Sequence, residues 1–127
     1  MFLRSLLLSS FLSTAFSAIC PPNSFYQEGS CYFAVTTPNT FDNANTFCTR
    51  KGGNMASVHN AFENTYLVQM GQSMGSYFWI GLYRVGNGNW TWSDNTTITY
   101  TNWDPLNVFT GMLFQGCAIN DANGFWE

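Results

Sequence analysis

Charge is what this chain has least of. Its 127 residues include 4 Lys or Arg, 7 Asp or Glu and 1 His, so only 9% are charged and the formal net charge is −3. So sparse and acidic a set offers no surface for neutralising phosphates, which excludes nucleic acid as a partner. One histidine, His59, with cysteines expected in disulfides, leaves no structural zinc set. His59 and Ser57 have no acid at a fixed spacing, and no cysteine lies in a setting that favours a thiolate. The sequence therefore offers no catalytic residue, no metal ligand and no cofactor site, and does not read as an enzyme. No apolar run reaches the ~20 residues that a membrane-spanning helix needs.

The first residues carry one early cation, Arg4, followed by apolar and small residues from Ser5 to Phe16. This stretch is too short to span a bilayer and reads as a secretory signal peptide. Ala15-Phe16-Ser17 presents small residues at the positions a signal peptidase inspects, so cleavage is expected after Ser17, with Ala18 the second choice. Residues 1–17 are then the leader, and residues 18–127 form one secreted, extracellular domain with no membrane span. That leaves 110 residues, enough for one small core and too few for two. Arg50, Lys51 and Arg84 then face seven acids, for a net charge of −4. Two N-glycosylation acceptor sequences suit this route: Asn89-Trp90-Thr91 and Asn95-Thr96-Thr97. Asn95 is favoured because Asp94-Asn95 reads as an exposed turn, whereas Trp90 begins a packed strand.

What is present in quantity is aromatic: 12 Phe, 6 Tyr and 5 Trp. Phe25 to Val35 alternates loosely and reads as a hairpin. Thr40 is placed to cap a helix carrying Phe41, Ala44, Phe47 and Cys48 on one face, with Gly52-Gly53 as its stop. Asn60 and Glu63, three apart, open a second helix whose stripe is Tyr66, Leu67, Met70 and Met74. Tyr77 to Tyr83 is an apolar run of strand length, Gly86-Asn87-Gly88 a hairpin turn, and Trp90 and Trp92 share one face of the return strand. From Trp103 to Cys117 regular patterning stops, leaving a long loop with Pro105, Gly111 and Gly116 of the kind retained for binding. The fold class is α+β, with two helices and small antiparallel sheets. Four cysteines allow three connectivities. Cys20 and Cys31 are close enough in sequence to bridge a local hairpin.

Trp79-Ile80-Gly81-Leu82, then Trp90-Thr91-Trp92-Ser93-Asp94, then Trp103 and Cys117, together with Gly52-Gly53-Asn54-Met55-Ala56-Ser57-Val58 after a cysteine-bearing helix, resemble the C-type lectin-like domain. The resemblance covers nearly everything after residue 19. It implies the long form of that domain, in which Cys20 and Cys31 form an N-terminal hairpin disulfide. It also implies partners for Cys48 and Cys117 in a final strand beyond Glu127, so that both are unpaired here and the domain is C-terminally incomplete. A Cys48–Cys117 bridge is the alternative.

The resemblance implies carbohydrate binding, in many members through a calcium ion in the long loop. Calcium requires six to eight oxygens, several of them carboxylate. The family tripeptide of an acid or Gln, a proline and Asn or Asp falls at Asn107-Val108-Phe109, where the proline and the distal oxygen are missing. A contributing acid position falls at the neutral Gln115, and Glu127 opens the pair after Trp126. A slipped alignment through Asp104-Pro105-Leu106 ends in Leu, which cannot ligate calcium. No calcium is therefore expected. The candidate ligand-binding residues are Asn107, Phe109, Gln115, Asn120 and Glu127, with Asn102 and Asn123 as further amides. Leu106, Val108, Phe109, Met112, Leu113 and Phe114 fold back as core or form a patch. The expected partner is a glycan, or an extracellular protein held by loop 106–114; a fragment without independent function is the remaining alternative.

Overall fold

A computed structural model of the chain describes residues 2–6, 20–75, 77–108 and 116–127. The elements, in chain order, are β1 (Phe2–Leu6), β2 (Phe25–Gln27), β3 (Ser30–Ala34), α1 (Phe41–Arg50), β4 (Asn54–Met55), α2 (Ala61–Gln72), β5 (Phe78–Arg84), β6 (Thr91–Trp92), α3 (Pro105–Val108) and β7 (Gly116–Asn120). They build two small antiparallel sheets, ordered β2-β3-β1-β4 and β6-β5-β7. The expected α+β architecture is the one observed, with two long helices.

Both helices begin where their caps dictate. The Thr40 hydroxyl accepts from the Asn43 amide, and the Asn60 side chain accepts from the Glu63 amide. Glu63 completes a modified box by reaching back one residue further than usual, to the His59 amide at 2.7 Å. The α1 helix stops at Lys51, and Gly52 follows at φ +81°, the left-handed geometry that ends helices without steric cost. The hairpin Cys20–Cys31 disulfide ties the start of the domain to β3. Cys48 and Cys117 are both free thiols, the first fully buried.

The main core gathers Tyr32, Val58, Leu67, Ile80, Leu82, Trp92 and Trp126 between α2 and the second sheet; a smaller cluster of Phe41, Ala44, Cys48 and Met55 lies beneath α1. Gly81 joins the two sheets. Its amide donates to Ala56 O, and its carbonyl accepts from Ser93 N at 2.7 Å. A Cβ there would lie 2.6 Å from Ser93 Oγ and 2.9 Å from Met55 O, so only glycine lets the three segments approach this closely.

Three elements lie outside the periodicity of the sequence. The apolar start, read as leader, runs as β1 between β3 and β4, with Phe2 opposite Ala34, Leu6 opposite Ser30 and Leu3 also opposite Met55. The long loop is interrupted by the single turn α3 and ends in β7, which returns along β5 with Phe78 opposite Asn120 and Arg84 opposite Gly116.

Candidate functional site

The last described segment, β7 and the residues after it, is held by buried amides. Asn64, on the inner face of α2, accepts from Asn120 Nδ2 and from Trp126 Nε1, each at 2.9 Å, and donates to Gly124 O. Asn102 donates to the same carbonyl at 2.7 Å. Asn64, Asn120 and Trp126 are all buried, so these bonds form away from water and carry correspondingly more weight. Asp121 accepts from the backbone amides of Asn123 and Phe125, closing the tight turn that returns the chain to Trp126.

Five rings run along this frame. Trp90 packs on Trp103 with centroids 4.8 Å apart, Trp103 meets Trp126 edge-on at 5.7 Å, and Trp126 meets Trp92 and Tyr100, both at 5.6 Å. The Arg84 guanidinium lies 5.1 Å over the Trp90 ring, an attractive cation–π geometry.

On the other side of Trp92 lies a polar cluster that sequence spacing could not assemble. Ser57 Oγ donates to Asp94 Oδ2 at 2.5 Å, and Thr96 Oγ1 donates to Asp94 Oδ1 at 2.6 Å. His59 Nε2 lies 3.1 Å from both hydroxyl oxygens. Each hydroxyl has one proton and gives it to the carboxylate, so hydrogen-bond geometry assigns a proton to Nε2. Burial acts to raise the Asp94 carboxyl pKa, but the bonds from Ser57 and Thr96 and the nearby His59 outweigh it, and the net shift is downward. Serine, histidine and aspartate are thus together, but not as a nucleophilic relay. The acid holds the hydroxyls rather than the imidazole, Nε2 is a donor, and Ser57 is buried.

The described part of the structure places three of the five sequence-predicted ligand residues. Asn107 is in α3, Phe109 and Gln115 lie outside the described residues, Asn120 is buried in the amide frame, and Glu127 is exposed with its backbone paired to Ile119. Of the apolar loop residues, Leu106 is 76% exposed, and 109–115 lie outside the described set. Asn89 and Asn95 are both exposed, Asn95 with φ +59° just after the Trp92–Asp94 turn. Among the described residues no group of three or more His, Cys, Asp or Glu side chains could surround a metal ion. The sequence has no acid between Asp104 and Asp121.

The model of the lectin C-type domain family matches residues 37–127. The chain belongs to the C-type lectin domain family. This C-type lectin domain is 33% identical over 117 residues to regenerating islet-derived protein 3-beta of Mus musculus, covering 84% of the chain and 66% of that protein. It is 28% identical over 110 residues to the low affinity immunoglobulin epsilon Fc receptor of Mus musculus, covering 86% of the chain but 33% of the receptor. The chain thus spans between one third and two thirds of these curated relatives. Among solved structures, a calcium-independent type II antifreeze protein superposes with a TM-score of 0.78 at 26% identity, over 89% of this chain and 86% of that one. Members of the family are generally recognition proteins rather than enzymes. No helix among the described residues is long and apolar enough to cross a membrane.

Asn64 and Asp94 are organising residues whose partners the sequence reading did not identify. For Asp94 the available signal was its place directly after Trp92-Ser93. Asn64 had none beyond being a polar residue on the inner face of an amphipathic helix.

Proposed function

We propose that this domain is a secreted recognition module that binds glycans without calcium. The observation carrying this reading is the acid-free stretch from Pro105 to Asn120, in which amides and aromatics stand where a calcium-dependent site needs several carboxylates. Amides hydrogen-bond sugar hydroxyls directly, and aromatic rings pack on the apolar faces of sugars. A glycan array probed with and without a chelator tests it. Binding that survives chelation is the expected result; binding abolished by chelation, or no binding to any glycan, overturns it.

Leu106, exposed beside the apolar loop, favours a second reading in which the loop captures an extracellular protein. Phe109→Ser with Phe114→Ser would then abolish capture at unchanged expression. Secretion is part of the proposal, with residues 1–17 as leader. Since Phe2–Leu6 forms β1, cleavage removes the strand between β3 and β4. The intact mass of the secreted chain decides between a processed and a retained N-terminus.

A further inference from the structure

Arg84 closes β5 opposite Gly116, where the chain leaves the long loop and enters β7. Its Nε and Nη2 are shut off from solvent, and among the described residues neither has a hydrogen-bond acceptor. Three other buried polar side-chain atoms with no partner belong to neutral Trp92, Ser93 and Asn120; Arg84 is the charged case and so the costliest to leave unmatched. With Met1–Ser17 set aside, the chain has seven acids to three cations. Yet among the described residues none is hydrogen-bonded to Nε or Nη2, and the adjoining stretch 105–120 contains no acid.

The two unpartnered nitrogens are also a specific pair. Nε–H and the neighbouring Nη2–H point the same way and form the side-on fork of a guanidinium, which matches the two oxygens of a planar carboxylate. The plane is supported from one side by Trp90, itself braced by Trp103. The residue is half-buried, and the adjoining turn from Val85 to Asn89 is exposed throughout. Binding a ligand there requires the fork to turn outward along that turn, about side-chain torsions that leave the backbone pair with Gly116 in place.

We propose that Arg84, backed by Trp90, is a subsite for the carboxylate of an acidic sugar, a uronic or sialic acid. This deepens the calcium-independent glycan reading and rests on it. A neutral sugar leaves the fork unmatched, whereas a sugar carboxylate supplies both acceptors and the missing charge.

The test uses the full chain, its tryptophan emission, and glucuronate and N-acetylneuraminate as probes, with glucose and acetate as controls at equal ionic strength. Expected are saturable emission changes with the two acidic sugars, none with glucose, and a much weaker response to acetate. Arg84→Met should weaken the acidic-sugar response on the order of 10-fold to 100-fold, the scale of losing a charge-assisted pair. It should also raise the melting temperature of the unliganded protein by about 3 °C, because it removes an unmatched buried charge while keeping the packing stem. A purely structural Arg84 would do the opposite. A lower melting temperature in Arg84→Met, undiminished acidic-sugar binding, an acetate response equal to that of the acidic sugars, or no response in the parent protein each overturns the subsite. Glycan-array binding to neutral sugars by the parent protein, with no response to either acidic sugar, would leave the broader glycan reading standing while the subsite falls.

Discussion

Replacing Asn64 by Ala should be among the most damaging single changes in this domain, although Asn64 lies in a helix, where Ala is the better helix former. The substitution removes the acceptor shared by Asn120 Nδ2 and Trp126 Nε1 and leaves both donors in a water-free interior. At about 1–3 kcal/mol for each stranded donor, the loss is about 2–6 kcal/mol. Against the roughly 5–15 kcal/mol of a typical domain, that is a large share of the total. Gly124 O adds little to the loss, because Asn102 still donates to it. Asn102→Ala is therefore the matched control: it removes one bond from a carbonyl that keeps its bond from Asn64, at a cost of about 1 kcal/mol. Urea unfolding followed by tryptophan emission, with Trp126 as a direct reporter, gives both values. A loss in Asn64→Ala no larger than in Asn102→Ala would refute the claim that the buried acceptor holds the last segment to α2.

Three further outcomes follow from the same geometry. The Asp94 pKa is lower in the fold than in the unfolded chain, so its contribution is fully present above the ordinary carboxyl pKa and is lost as pH falls through the folded value. Stability should therefore decline below about pH 4, and Ser57→Ala with Thr96→Ala should flatten that decline in melting curves taken across the acid range. Gly81→Ala forces a methyl group against Met55 O and Ser93 Oγ, and should destabilise by about 1–3 kcal/mol in denaturant unfolding. Burial pushes the Cys48 thiol up to about 11, while Cys117, raised by burial and by Asp42, is only half-buried. Iodoacetamide at neutral pH should label Cys117 first and Cys48 only on unfolding, as read by peptide mass; equal rates would contradict the packing beneath α1.

Some of this architecture was legible because its signals are local. Thr40 and Asn60 cap helices through residues three positions away, and Gly86-Asn87-Gly88 turns a hairpin within its own span, so neighbouring residues suffice to identify them. Cys20 and Cys31 lie within one hairpin, and the structure joins them. Two-residue strands such as Asn54–Met55 carry no readable period. Phe2–Leu6 has a composition that serves an apolar leader and a central strand equally well, so only pairing with β3 and β4 marks it as a strand.

By itself, the sequence determined the family, the helix starts, the tryptophan-bearing strands and the absence of carboxylates from the long loop, because residue identity and short spacing carry all of these. Tertiary structure decided which polar groups became structural and which were left without partners. Ser57 meets Asp94 across 37 positions, Asn120 meets Asn64 across 56, and Trp126 meets Asn64 across 62. Such partnerships depend on sheet register and helix placement, which no local pattern encodes. Arg84 is the clearest case: in the sequence it is one cation among few, and only the fold shuts its fork from water, sets it over Trp90 and leaves it without an acceptor among the described residues.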